Sequence, residues 1–284
     1  MRSLLLTSLA MVAFAANSVL NRAALSGGTI DAASFAAVRL VAGASMLALL
    51  CLVLRGGVAF RGPDRVSGAV ALICYLYGFS AAYGALDAGV GALILFGLVQ
   101  ITMFVAGILA RERMPPRRVL GAVLAFAGLC WILWPGAGTT VSLPHGLLMA
   151  GAGVAWGIYS LLGRRAEDAL AATSANFLVA VPIGLVLTLT LSAGQAPLFV
   201  TPEGLALATV SGALTSGLGY ALWYHVLPSL AASVAAVAQL SVPVIAVAGG
   251  VLFLGEALTG EFALASALVL GGVAVSVARR PGSR

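Results

Sequence analysis

The chain has 284 residues, of which 61% are hydrophobic and 8% are charged. Soluble globular domains carry about 25% charged residues, so a water-soluble fold is excluded. The formal net charge of +6 does not indicate a nucleic-acid partner, because no soluble segment is long enough to form a basic domain.

Long apolar stretches along the chain predict ten transmembrane helices, because about 20 helical residues cross a hydrocarbon core of about 30 Å. Runs such as ASVAAVAQLSVPVIAVAGGVLFL do not alternate apolar and polar residues, as strands of a membrane barrel would. In the first half, residues 1–134, the predicted spans are Leu4–Ala24, Ala32–Leu54, Val66–Leu86, Val90–Ala110 and Arg117–Trp134. After a Gly- and Pro-bearing connector at 135–144, the predicted spans of residues 145–284 are His145–Gly163, Thr173–Leu191, Gly204–Tyr224, Ala231–Leu254 and Phe262–Ala278.

The distribution of charge predicts the orientation of these spans. All fifteen basic residues are arginine, and with the N-terminus in the cytoplasm all but Arg22 and Arg39 fall on the cytoplasmic side. The positive-inside rule therefore predicts a bacterial inner-membrane protein with both termini in the cytoplasm. The connections on the other side instead carry acidic residues, namely Asp31, Asp87, Glu203, Glu256 and Glu261.

The two halves of the chain resemble each other. AFAANSVLNR at 13–22 matches AWGIYSLLGR at 155–164, and GILARERM at 107–114 matches VLFLGEAL at 251–258 at nearly the same offset. Because each half holds five predicted helices, an odd number, the second half must enter the membrane in the opposite orientation. The repeat also predicts that the first segment is a permanent helix. Its Arg2, apolar run and AFAAN fit a cleaved signal peptide, but its counterpart in the second half is internal.

The stretch SLAASVAAVAQLSVPVIAVAGGVLFLGEALTGEFALASALVLGGVAVSV resembles the EamA-type branch of the drug/metabolite transporter superfamily. It is similar to that family's ninth helix with a central proline, here Pro243, a Gly-Glu at the helix end and a small-residue tenth helix. The first half carries a weaker copy, in which Val99 stands in place of the proline and Arg111 precedes Glu112.

The resemblance covers nearly the whole chain, and the amino-acid exporters are one candidate branch within the family. It implies an all-α membrane protein with ten transmembrane helices, in two inverted five-helix repeats around a central cavity. It also implies that metabolites cross the membrane by alternating access.

Aromatic and amide side chains occur on matching predicted helices of the two halves. A cavity that they line could bind an apolar or aromatic solute, each ring pair adding about 0.5–1.5 kcal/mol beyond burial. Alternatively, Tyr and Trp near helix ends, such as Tyr83, Tyr224 and Trp134, form the interfacial aromatic belt. The candidates for substrate binding from this pattern are Asn17, Tyr75, Phe79, Tyr83, Trp156, Tyr159, Tyr220, Trp223 and Tyr224.

Arg39 lies inside the second predicted span, where an arginine at the helix centre costs about 2.5–3.5 kcal/mol on insertion scales. It could bind a substrate carboxylate. Alternatively, its long side chain snorkels to the outer interface, towards Asp31 or Asp87.

Three further residues inside predicted spans are candidates. Gln100 and Gln239 could form hydrogen bonds with an amino acid or a similar solute, or could join helices at about 0.6–2 kcal/mol each. Pro243 removes a backbone hydrogen bond from the ninth span, which predicts either a hinge or a static kink.

The sequence predicts an exporter or facilitator of amino acids or similar small metabolites, with aromatic or bulky apolar ones favoured. The alternatives are a nucleotide-sugar or drug transporter of the same fold, or a membrane-embedded enzyme, although His145 and His225 lack the acid, base or nucleophile partners that catalysis needs. The scattered cysteines predict neither disulfides nor a metal site, and no cofactor is predicted. The expected partners are a small-molecule substrate and the lipid bilayer; the sequence leaves the oligomeric state open, and a monomer fits this architecture.

Overall fold

A computed structural model describes residues 2–58, 60, 62, 64–111, 115–134, 141–164, 166–193, 198–230 and 232–277. These residues form helices and their connections, with one isolated β-bridge between Ile30 and Val200. The helices are α1 (Arg2–Ser26), α2 (Ala32–Arg55), α3 (Arg65–Ala82), α4 (Ala88–Leu109), α5 (Pro116–Leu133), α6 (Leu143–Gly163), α7 (Ala169–Ser192), α8 (Pro202–Val226), α9 (Ala232–Leu254) and α10 (Gly260–Val277).

The chain is a multi-pass membrane protein by the length and composition of these helices. Eight of them, α1 to α8, are long and apolar enough to cross a bilayer, and the described parts of α9 and α10 form two shorter apolar helices. Large apolar side chains such as Leu109 and Phe253 are about three-quarters exposed. An apolar exterior of this kind is suited to lipid and not to water.

Two helix boundaries differ from the sequence prediction by four residues, each for a local reason. α7 begins at Ala169, four residues before the predicted Thr173, because the Asp168 carboxylate accepts the Ala171 N–H and caps the helix. α3 ends at Ala82, four residues before the predicted Leu86, and the chain turns there before Asp87 starts α4.

The main packing pairs join the two halves of the chain. Helix α3 packs on α6 as α8 packs on α1, and α4 packs on α6 as α9 packs on α1. Equivalent helices also pack on each other, namely α2 on α7, α4 on α9 and α5 on α10. Glycines permit the closest of these approaches, since a Cβ on Gly272 of α10 would lie 2.6 Å from the Gly121 carbonyl oxygen and the Ala125 nitrogen of α5.

Hydrogen bonds join α2 to α7 and α8 at both ends of the bundle. At one end, the Asp31 side chain caps α2 and also accepts the Phe199 N–H at 2.9 Å, while the Thr201 N–H donates to the Thr29 carbonyl at 2.9 Å. At the other end, Arg55 Nε donates to Asp168 Oδ2 at 2.6 Å. The latter pair is exposed, so solvent screens it and it contributes little to stability.

Candidate functional site

Arg39 is fully buried at the centre of the bundle, with 0% of its surface exposed. Its Nε donates to Ser216 Oγ at 2.9 Å, and its Nη2 donates to the Tyr75 hydroxyl at 2.9 Å and to the Tyr220 hydroxyl at 3.5 Å. Its Cζ lies 4.8 Å from the ring centroid of Phe79. The snorkelling alternative is therefore wrong, because Arg39 points inward, to hydroxyls and rings of α3 and α8.

The positive charge of Arg39 has no anionic partner among the described residues, since none of their ion pairs includes it. Its Nη1 has no hydrogen-bond partner there either. Guanidinium stays protonated in proteins, so burial cannot neutralise it. The ring of Phe79 offsets part of the desolvation cost, because a desolvated cation–π contact contributes about 2 kcal/mol. The site thus retains an uncompensated cation.

Trp156 lies at the middle of an aromatic cluster that draws on both halves. Its ring centroid is 4.8 Å from that of Tyr75, 4.9 Å from that of Tyr220 and 5.5 Å from that of Tyr159. Phe14 packs edge-on against it at 6.3 Å. Aromatic pairs at these distances are mutually stabilising, so the cluster fixes α1, α3, α6 and α8 around one point.

The other aromatic candidates surround this cluster. Tyr83 follows α3 and packs on Phe79 with ring centroids 4.7 Å apart, and Trp223 packs on Phe14 at 6.0 Å. Tyr83 and Tyr224 are buried in protein, so the belt alternative is wrong for both. Trp134, in contrast, is 69% exposed and keeps the belt alternative.

Asn17 of α1 connects to α8 through a segment that sequence reasoning missed. Residues Ser211–Leu218 form a π-helical stretch within α8, a geometry that is common at functional sites. Asn17 Oδ1 accepts hydrogen bonds from the hydroxyls of Ser211, Thr215 and Ser216. Because Ser216 also accepts from Arg39, this segment links Asn17 to the buried cation. The cluster of small polar residues in SGALTSGLGY was the available signal.

A small occluded cavity lies beside Arg39. Its volume is about 10 Å³, room for about one water molecule, so side chains nearly fill this part of the bundle. Of the twelve predicted substrate-binding residues, Asn17, Tyr75, Phe79, Trp156 and Tyr220 line it. Its other lining residues are Phe14, Ser18, Leu95 and Phe96.

The remaining candidates do not line this cavity. Arg39 contacts three of its lining side chains, and Tyr159 stacks on Trp156. Gln239 is buried in α9 and Gln100 is half-buried in α4. Pro243 is buried inside α9, the helix that packs between α1 and α4.

A larger cavity of about 120 Å³ lies at the end of the bundle where α4 and α10 begin. Asp87 and Glu256 line it, with an apolar wall that includes Val247 and Phe262. Arg22 Nη2 lies 3.1 Å from Asp87 Oδ1, and Arg22 Nε lies 3.5 Å from Glu256 Oε1. A chain of ion contacts therefore runs along this cavity.

Residues 144–278 match the sequence model of the EamA-like transporter family. An uncharacterized protein of Pseudomonas aeruginosa is 50% identical over 282 residues, which cover 99% of this chain and 96% of that protein. The uncharacterized transporter YwfM of Bacillus subtilis is 29% identical over 85% of this chain and 83% of its own. The threonine/homoserine exporter RhtA of Salmonella typhimurium is 33% identical over 58% of this chain and 57% of its own.

One solved crystal structure shows the same fold. It matches with a TM-score of 0.64 at 23% sequence identity, over 97% of this chain and 98% of the other chain.

Proposed function

This chain belongs to the EamA-like transporter family, and we propose that it moves small metabolites across the bacterial inner membrane by alternating access. In this proposal, the ten helices form two inverted five-helix repeats, residues 1–134 and 145–284, joined by the connector at 135–144. The packing pairs support the repeat, because the contacts of α3 and α4 with α6 recur, shifted by five helices, as those of α8 and α9 with α1. A two-fold relation of this kind permits two equivalent states that open to opposite sides.

The favoured cargo is an amino acid with an aromatic or bulky apolar side chain. The observation that carries this proposal is the cluster of rings around Trp156, which meets the buried Arg39 at the centre of the bundle. Amino-acid transport is also consistent with the similarity to the threonine/homoserine exporter. Transporter substrates bind near the bilayer midplane, at the interface of the repeats; the rings that meet at Trp156 come from α1, α3, α6 and α8, and therefore from both halves of the chain.

The substrate site that we propose has an inner and an outer set of residues. The outer residues support the rings or connect their helices, and they are Tyr83, Gln100, Tyr159, Trp223, Tyr224 and Gln239. The inner residues contact cargo directly when the cavity expands, and they are Asn17, Arg39, Tyr75, Phe79, Trp156 and Tyr220.

Uptake into proteoliposomes tests the proposal. Purified protein should carry labelled phenylalanine faster than labelled threonine, and a nucleoside or an amphipathic drug more slowly than either. Trp156→Ala should abolish the preference for the aromatic amino acid, because it removes the ring at the middle of the cluster. Trp131→Ala is the matched control, since Trp131 is exposed on α5 and lies outside the central cavity. No uptake above that of empty liposomes, or an unchanged preference in Trp156→Ala, would contradict the proposal.

A further inference from the structure

We infer that Arg39 binds the carboxylate of the substrate, and that the cargo class is monocarboxylates with an aromatic or bulky apolar body, either anions without an amino group or zwitterionic amino acids. This inference rests on the proposed function, because it names the chemistry that the same site selects. It makes the carboxylate necessary for binding and the amino group dispensable. An amino acid is then carried as one member of a wider class of organic acids.

Two donors beside the cavity have hydrogens that no recorded bond uses. Arg39 Nη1 is buried without a partner among the described residues. The Tyr75 and Tyr220 hydroxyls lie 3.3 Å apart and both accept from Arg39 Nη2. The Tyr220 hydroxyl donates its proton to the Tyr75 oxygen. The proton of the Tyr75 hydroxyl then has no acceptor among the recorded bonds. Two neighbouring donors with spare hydrogens suit the two oxygens of a carboxylate.

The charge at the site favours an anion as strongly as the geometry does. Arg39 has no acidic partner among the described residues, and no Asp or Glu lies in the middle third of any predicted span. A bound monocarboxylate therefore neutralises the buried charge, whereas an amine would double it. A ligand gains affinity when its charge pairs with a buried protein charge that has no other partner, provided that the pair is well hydrogen-bonded.

The same residues provide little for an ammonium group. Asn17 Oδ1, the amide acceptor in the cavity lining, already accepts from three hydroxyls. Ser18 adds a single neutral hydroxyl to the lining. The rest of the wall is apolar or aromatic, and Phe14 and Trp156 suit the body of the substrate. Removing the amino group should thus cost little affinity.

Four probes with one phenyl body separate these contributions: 3-phenylpropionate, L-phenylalanine, 2-phenylethylamine and L-phenylalaninamide. Calorimetry on purified protein at pH 7.5 should give dissociation constants for the two carboxylates within about threefold of each other, and the amine and the amide should bind at least about tenfold more weakly. Arg39→Met should reduce the binding of both carboxylates to the level of the amide. Arg39→Lys keeps the charge and should retain part of the preference.

Arg55→Met is the matched control, since it also removes one arginine but from an exposed ion pair with Asp168, away from the cavity. It should leave all four dissociation constants unchanged. The unfolding temperature of each variant reports whether it is folded. If Arg39→Met does not fold, the order of the four dissociation constants in the wild type and in Arg39→Lys tests the inference.

Three results would overturn the inference: binding of the amine or the amide as tightly as the acid, persistence of the acid preference in Arg39→Met, or binding of none of the probes. Uptake of the same probes into proteoliposomes separates this inference from the proposed function. Carboxylate-selective binding without uptake leaves the inference standing and contradicts transport. Uptake that does not depend on the carboxylate supports transport and overturns the inference.

Discussion

Glu256 lies beyond the end of α9 and accepts the Ala88 N–H at the start of α4 with both carboxylate oxygens, at 2.9 and 3.0 Å. A carboxylate at a helix N-terminus also interacts favourably with the helix dipole. With Arg22 and Asp87, the contact joins α1, α4 and the α9–α10 connection at one end of the bundle. Glu112, its predicted repeat partner, lies outside the described residues.

Glu256→Gln should change how stability depends on pH. Burial raises the pKa of Glu256 above its ordinary value, aided by the charge of Asp87 and opposed by the Ala88 N–H and Arg22. The folded protein therefore binds this proton more tightly than the unfolded chain, so the contribution of Glu256 to the free energy of unfolding falls as pH rises from about 4.5 through the raised pKa. The variant lacks this titration.

Thermal unfolding between pH 4.5 and pH 8 measures the effect. The advantage of the wild type over Glu256→Gln should shrink as the pH rises. If the unfolding temperatures of the two proteins differ by the same amount at every pH, the ionisation of Glu256 does not contribute to stability.

Asn17→Leu should destabilise the protein by about 1–3 kcal/mol. The change leaves the buried Ser211 and Ser216 hydroxyls without the amide oxygen that accepts their hydrogen bonds, and an unsatisfied buried polar group costs about that much. Equilibrium unfolding in mixed micelles gives the number. Val12→Ala, on the exposed side of the same helix, should stay within about 0.5 kcal/mol of the wild type. An equally small effect for Asn17→Leu would show that the hydrogen bonds to Asn17 do not stabilise the fold.

Pro243→Ala should slow transport and leave substrate binding at equilibrium nearly unchanged. The substitution restores a backbone donor inside α9 and stiffens it, whereas Val99, at the equivalent place in α4, already has an ordinary N–H. A hinge affects the interconversion of states more than the cavity itself. Pro182→Ala in α7 is the matched control. Wild-type turnover in a folded Pro243→Ala protein would exclude a hinge, and joint loss of stability and binding would indicate a static kink.

Transport should persist in liposomes that have neither a pH gradient nor a sodium gradient. Proton and sodium coupling relies on ionisable side chains at membrane depth, and no acidic residue lies in the middle third of any predicted span. An absolute requirement for either gradient would refute this expectation. His225→Ala would then be the first variant to measure, because histidines commonly carry protons in transport proteins and His225 lies near one end of α8.

Both termini should lie in the cytoplasm, since the arginines concentrate on that side of the predicted spans. A C-terminal fusion to a fluorescent protein that folds only in the cytoplasm should be bright. A C-terminal alkaline phosphatase fusion should be inactive. The reverse pair of results would invert the topology.

The sequence predicts the helical segments and the region of the site, because both depend on patterns that can be read from the residues alone. A long apolar segment indicates a transmembrane span, and the repeat places rings at matching positions of the two halves. The aromatic pattern predicts one cavity shared by the two halves. Tyr75, Trp156 and Tyr220 line the small cavity beside Arg39, while Tyr159 stacks on Trp156 and does not line it.

The contacts of Arg39 and the π-helical stretch of α8 could not be predicted. Which way Arg39 turns depends on the rotation of α2 and on the hydroxyls that α3 and α8 bring to it, and these are tertiary facts. A π turn has no compositional signature of its own. The small polar residues of SGALTSGLGY mark the segment, but only the contacts in the structure show that Ser216 is the one that joins Arg39 to Asn17.

The attachments at the two ends of α2 restrict which parts of the molecule can separate. Near its start, α2 is bound to the α7–α8 connection through Asp31 and Phe199, and at its end it is bound to α7 through Arg55 and Asp168. The ion pair is exposed and weak, so the packing of α2 along α7 does most to hold the two helices together as one unit. In the proposed alternating-access cycle, opening at the end that holds Glu256 would move α4 and α9 away from α1 and leave this unit intact, with the ion contacts of Arg22 as the first to break.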